Sequence, residues 1–206
     1  MHPNPSFRKE TKARNIAFAR ERGFGTLAIN AHGGPLLSHV PFRLLEDDKT
    51  VELHLVRSNP ILTLLKKAQD AVISVLGGDS YISPDWYEIE DQVPTWNYVA
   101  VHLRGTLSLL PQEQIHDVLV ELSASMEERL LPKKPWVSDK MDQAVYKGML
   151  RQIVPVKMDV SSIDATWKLN QNKDDEVRLR AADAVEKDGI GSELDWLAQM
   201  MREAES

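Results

Sequence analysis

The stretch GFGTLAINAHGGPLLSHVPFRLLEDDKTVELHLV, residues 23–56, decides the fold. Thr26–Asn30 and Leu36–Leu45 read as two strands around His32-Gly33-Gly34, a glycine-containing hairpin connection. Asp47-Asp48-Lys49 forms a second turn. Val51–Val56 alternates apolar and polar for most of its length, as a strand with one buried face does. Strand follows strand with no helix between. A doubly wound α/β fold needs regular strand–helix alternation, so this stretch points to a small β-barrel with peripheral helices, mainly β within an α+β arrangement.

Upstream, Thr11–Arg22 predicts a helix stopped by Gly23. Downstream, Arg57-Ser58-Asn59-Pro60 ends a strand and opens a short helix, with Pro60 in the first turn and Ser58 or Asn59 as its cap. Ala71–Leu76 is expected to be a buried strand, and Gly77-Gly78-Asp79 a turn. Asn97–Leu110 predicts a long strand with Val99, Val101 and Leu103 on one face. A helix follows from Pro111, with Ile115, Val118, Leu119 and Leu122 at helical spacing. Asp139–Leu150 predicts another helix, and Gln152–Thr166 a strand. From Asp174 the chain reads as two helical pieces split at Gly189–Gly191. The expected organisation is one barrel domain with inserted helices over residues 1–188 and a C-terminal helical tail over 189–206.

Composition bounds the function. With 42% hydrophobic and 27% charged residues the chain is an ordinary globule. No run approaches the roughly 18 apolar residues of a membrane span. The start, MHPNPSFRKETKARN, lacks the apolar segment of a signal peptide, so a cytoplasmic protein is expected. There are no cysteines, which excludes disulfides, thiolate metal sites and thiol nucleophiles. The net charge is −6 and the basic clusters are short, which weighs against a strong nucleic-acid face on this chain.

Signatures of catalysis are thin. There is no GxGxxG, P-loop, GxSxG or HExxH, so no motif nominates a catalytic residue or a metal-ligand set. Three stretches stand out instead. Ser80–His102 interleaves Trp86, Tyr87, Trp96 and Tyr98 with Ser80, Ser83, Thr95 and Asn97. Flat rings beside hydroxyls and amides suit a planar, polar-edged ligand, and would equally hold the loop's own structure. Arg57-Ser58-Asn59 places a cation, a hydroxyl and an amide before a short helix, which suits a phosphomonoester or a plain helix cap. Trp167-Lys168-Leu169-Asn170-Gln171-Asn172 concentrates a ring, a cation and three amides, fit either to read a heteroaromatic edge or to end a strand with Asn172 capping the next helix.

Together these segments resemble the PaiB-type FMN-binding negative transcriptional regulator family. The likeness is carried by SYISPDWY (80–87), VPTWNYVAVH (93–102) with Gly105 beyond it, and WKLNQN (167–172). Thr26-Leu27-Ala28, SHVPF (38–42) and RSNP (57–60) add to it, and it runs from about Phe7 to Val185. Asn170 stands where the family has serine, and Gly78-Asp79-Ser80 replaces a G-P-H-like lead. The resemblance implies a split β-barrel like that of pyridoxamine-phosphate oxidase relatives, a homodimer with flavin mononucleotide at the subunit interface. By resemblance, Arg57, Ser58 and Asn59 hold the phosphate. Thr95, Trp96, Asn97 and Tyr98 line the flavin. Trp167, Lys168, Gln171 and Asn172 close the site, from the partner chain.

Three functions follow. The family reading is a flavin-binding repressor, for which the acidic chain gives direct DNA contact only weak support. A flavin-dependent oxidoreductase using NAD(P)H is the second. The third is a haem-binding or haem-degrading split barrel, with His39 or His102 as the axial ligand.

Overall fold

The computed structural model describes residues 1–205. The strands are β1 (Phe24–Ile29), β2 (Leu36–Leu44), β3 (Thr50–Val56), β4 (Gln69–Ile82), β5 (Thr95–Leu109), β6 (Ile153–Lys168) and β7 (Ile190–Ser192). The helices are α1 (Lys12–Arg22), α2 (Ile61–Leu64), α3 (Ile115–Glu127), α4 (Gln143–Leu150), α5 (Asp175–Asp188) and α6 (Leu194–Glu203). The hydrogen-bonded order is β1-β2-β3-β6-β5-β4-β7, and a further β1–β4 pairing closes six of the strands on themselves.

The chain divides into two compact units. The first, here the barrel unit, holds residues 16–75 and 102–163; the second, the terminal unit, holds residues 1–15, 76–101 and those from Asp164 on.

In the barrel unit, β1–β2, β2–β3, β3–β6 and β1–β4 are antiparallel. Period-two alternation sends Leu27, Phe42, Leu44, Val51, Leu53, Ile73, Leu103, Leu107 and Met158 inside, all almost wholly buried. Burying one such side chain contributes about 1.5–3 kcal/mol. The β1–β2 connection turns at Gly33 and Gly34, with φ of 89° and 121°, a backbone that residues with a Cβ rarely adopt. On the outside, α3 buries Ile115, Val118 and Leu122 and packs on β2 and β3. Asp142 caps α4, accepting from the amides of Ala144 and Val145 at 2.9 Å, so this helix starts later than its sequence suggests.

In the terminal unit, α5 packs against α6 and against the single turn Pro84–Tyr87. Val177, Ala181, Ala182 and Val185 of α5 are buried, as are Leu197, Ala198 and Met201 of α6. Arg178, 5% exposed, donates through Nε to the Met201 carbonyl at 2.9 Å.

One expectation is corrected. Gly77-Gly78-Asp79 is not a turn, because β4 runs unbroken through it. Gly78 is needed for close approach instead: a Cβ there would lie 3.0 Å from the Glu193 carbonyl oxygen and 3.1 Å from Leu197 Cβ. The residues between α5 and α6 are a strand, pairing Asp79↔Ser192, Ser80↔Gly191 and Tyr81↔Ile190. Residues from 189 on fall in the terminal unit with residues 1–15 and 76–101.

Candidate functional site

In the barrel unit, β3 ends at Val56 and the chain turns through Arg57–Pro60 into α2. Arg57 Nε donates to the Arg151 carbonyl at 2.7 Å. Its Nη2 donates to Gln112 Oε1 at 2.8 Å and to the Ile153 carbonyl at 3.2 Å. These acceptors fix the plane of the guanidinium, and Nη1 has no partner among the described residues. Ser58 is exposed. Asn59 is committed: its Oδ1 accepts from the Ile61 amide at 3.0 Å and its Nδ2 donates to Ser38 Oγ at 2.9 Å. The cap reading of Asn59 therefore holds, while Arg57 and Ser58 keep donors free for an oxyanion. His39, proposed as a haem ligand, lies 3.0 Å through Nδ1 from Thr26 Oγ1.

In the terminal unit, β5 begins at Thr95, and alternation splits the predicted residues between its two faces. Asn97 faces inward, fully buried, with Nδ2 3.5 Å from Met201 Sδ. Trp96 and Tyr98 face the other way. Trp96 is 48% exposed and meets Tyr81 edge-on at 6.3 Å between ring centroids. It offers a free indole face.

The end of β6 carries the last set. Trp167 is 2% exposed; its Nε1 donates to Asn15 Oδ1 at 2.8 Å, and the Arg14 guanidinium lies 4.4 Å from its ring centroid. It is a core ring, not a ligand-facing one. Gln171 braces its own turn, accepting from the Leu169 amide at 2.8 Å and donating to the Trp167 carbonyl. Asn172 is exposed and does not cap α5, whose N-cap position is Asp174.

Thr95, Lys168 and Asn172 do meet, in a cavity of about 250 Å³. His2, Phe7, Tyr87, Asn170 and Lys173 complete it. Lys168 Nζ is bonded to Thr95 Oγ1 and lies 5.7 Å from the Phe7 ring centroid. Lys173 Nζ is bonded to Gln92 Oε1 and lies 5.1 Å from the Tyr87 ring centroid. Burial holds the Lys168 ammonium below the usual lysine range. Burial, with Lys168 adding to it, lowers the His2 imidazole. Tyr87 Oη donates to Asn170 Oδ1 at 3.3 Å, and burial pushes the phenol up. Asn170 has φ of 63°, a left-handed backbone that asparagine tolerates better than most residues.

Sequence reasoning missed His2, Phe7 and Lys173 as partners of Lys168. The first two carry no motif and reach the cavity from the far end of the chain. A second cavity, about 540 Å³, lies in the barrel unit beside Leu119, Val120, Leu131, Trp136 and Val137, and no sequence-predicted residue lines it.

Residues 1–162 match the model of the family described as "Putative FMN-binding domain". The chain belongs to this FMN-binding domain family. The chain is also 32% identical over 174 residues, 83% of each chain, to the Protease synthase and sporulation protein PAI 2 of Bacillus subtilis (strain 168). Two solved structures share the architecture. The FAD and haem binding protein from Mycobacterium smegmatis superposes with a TM-score of 0.56 at 14% identity, over 79% of this chain and 73% of that one. The flavocytochrome Anf3 from Azotobacter vinelandii gives 0.55 at 12% identity, over 81% and 72%. Likeness at such identity establishes the fold, the split β-barrel that the resemblance implies. Within the FMN-binding domain match lie Arg57–Asn59 and Thr95–Tyr98; Trp167–Asn172 fall beyond it.

Proposed function

We propose that the protein is a flavoprotein of the PaiB-like type that binds FMN. The observation carrying this reading is the family match over residues 1–162 on a split barrel. The residues present suit the cofactor. In the barrel unit, Arg57 Nη1 and the Ser58 hydroxyl offer donors to a phosphate, with Asn59 holding the turn. In the terminal unit, taken by itself, Trp96 offers an exposed ring and Tyr98 a half-buried one, as stacking surfaces. Asn97, Trp167 and Gln171 support their neighbours from within. When bound, the flavin supplies redox chemistry, and the chain supplies position and electrostatics.

Titration of the purified protein with FMN, read by quenching of flavin fluorescence with riboflavin as control, tests this. Saturable binding near one flavin per chain with FMN preferred is the expected result. Absence of saturable binding by either flavin refutes the reading. Removing the Arg57 charge in Arg57→Met should cost FMN about 1.5–3 kcal/mol, about ten- to hundredfold, and leave riboflavin nearly unchanged. An equal loss for both ligands moves the phosphate elsewhere. Trp96→Ala should weaken both by about 1 kcal/mol, roughly fivefold.

A homodimer belongs to the same proposal. Support comes from apolar side chains left in solvent, Leu37 and Val56 on the barrel unit and Leu76 and Val93 on the terminal unit. The regulatory role fits a partner-mediated output better than a DNA face, given the net charge of −6.

A further inference from the structure

The cavity around Lys168 has a chemistry that the flavin reading does not use. Its volume, about 250 Å³, falls below the roughly 300–1,000 Å³ of pockets that enclose drug-sized ligands. Its charge is one-sided. Lys168 and Lys173 line it, and no aspartate or glutamate does. Among the described residues neither lysine makes an ion pair: Lys168 has the Thr95 hydroxyl, and Lys173 the Gln92 amide oxygen. Both of those partners are neutral, so two ammonium groups face the same small space without a counter-charge.

Asn170 supplies an independent sign. It lines the cavity, is 1% exposed, and spends its Oδ1 on the Tyr87 hydroxyl. Its Nδ2 is buried with no partner among the described residues. A buried donor left unmade costs about 1–3 kcal/mol, so such a group is expected to be satisfied by something that enters. Phe7, Tyr87 and Val93 give the cavity apolar or aromatic wall, and His2, Asn4, Gln92, Thr95 and Asn172 complete it with uncharged polar groups or an imidazole. Cationic donors set against ring faces, Lys168 near Phe7 and Lys173 near Tyr87, describe one ligand class.

We infer that this cavity binds a small organic anion, a single carboxylate or phosphate on a compact apolar body, gripped by Lys168, Lys173 and the Asn170 amide. The site goes beyond the flavin reading and does not depend on it. Resemblance gives Thr95, Lys168 and Asn172 to the cofactor; the inference gives the cavity that they line to a second, smaller ligand.

The test is a calorimetric titration of the full chain at low ionic strength with benzoate, and with benzamide as its neutral counterpart. Benzoate should bind saturably and at least about tenfold tighter than benzamide, the effect of one charge-assisted hydrogen bond. Lys168→Met and Lys173→Met should each weaken benzoate about tenfold. Asn170→Asp keeps the size of the side chain, an acceptor for Tyr87 and tolerance of a left-handed backbone, so it remains folded when a lysine variant does not. It places a carboxylate against the lysines and should abolish benzoate binding. Titration repeated on FMN-saturated protein should give the same benzoate affinity. No saturable benzoate binding at millimolar concentrations, equal affinity for benzamide, or unchanged binding in Asn170→Asp overturns the inference. So does competition between FMN and benzoate, which would return the cavity to the flavin. Failure of FMN to bind, with benzoate binding intact, would refute the flavin reading alone.

Discussion

At the scale of the residue, His54 shows how burial writes a pH dependence into the protein. It sits on β3, and its Nδ1 is buried with no partner among the described residues. Burial disfavours the imidazolium, so its pKa in the folded chain lies below 6.5. The unfolded chain then binds the proton more readily. His54 therefore contributes its full stability above pH 6.5, and that contribution is lost as pH falls from there toward the lowered folded value. Thermal midpoints measured between about pH 7 and pH 5 should fall, and the fall should be shallower in His54→Gln. An identical slope in both proteins would place the acid sensitivity elsewhere. Arg57 marks the limit of reading at this scale. Its place before a short helix is legible in RSNP. Its orientation is not, because the carbonyls of Arg151 and Ile153 that fix it arrive from nearly a hundred residues away. Asn170 is visible in the sequence as a departure from serine; that its amide is left without a partner depends on how Tyr87 packs.

At the scale of the element, strands with one buried face were readable because alternation is a local signal. β1, β2, β3 and β5 fall close to where their apolar residues predict. β4 was read too short for a physical reason: Gly77-Gly78-Asp79 has turn composition, yet Gly78 serves the approach of the backbone at Glu193. Local composition cannot distinguish a glycine that bends from one that clears space. Gly105 is of the second kind. A Cβ there would come within 2.1 Å of the Asp159 carbonyl oxygen on β6. The atom it would meet belongs to the backbone, which yields less readily than the end of a side chain. Gly105→Ala should destabilise the barrel by about 1–3 kcal/mol, read as a lowered urea midpoint with an unchanged m-value. A variant as stable as the parent would mean that β5 and β6 separate freely at this point.

At the scale of the whole molecule, the chain forms two compact units, each assembled from distant segments. The barrel and its cofactor class were legible through motifs spread along the chain. The partition was not, since it arises from contacts between the N-terminus, the middle and the end. It has a direct consequence for truncation. Cutting the chain after Asp188 removes α6 and with it the side chains of Leu197, Ala198 and Met201 that are buried in the native protein. The apolar face of α5 and the Asn97 amide would then meet water. A shortened chain should lose its cooperative thermal transition in part or whole, seen by circular dichroism. A dispensable tail would leave the transition where it was.

The pairing of β4 with β7 carries one further consequence, for the chain while it is being made. Tyr81 waits for Ile190, a partner about 110 residues further along. At roughly 5–20 residues per second, a ribosome takes on the order of 5–20 s to cross that gap. Throughout that interval the edge of β4 from Asp79 to Tyr81 has emerged with its amides and carbonyls open, and another nascent chain of the same kind can supply the missing strand. Crowded translation of this protein is therefore the moment at which misassembly competes best with folding, and slower initiation, which spaces the chains apart, is the condition that favours the native product.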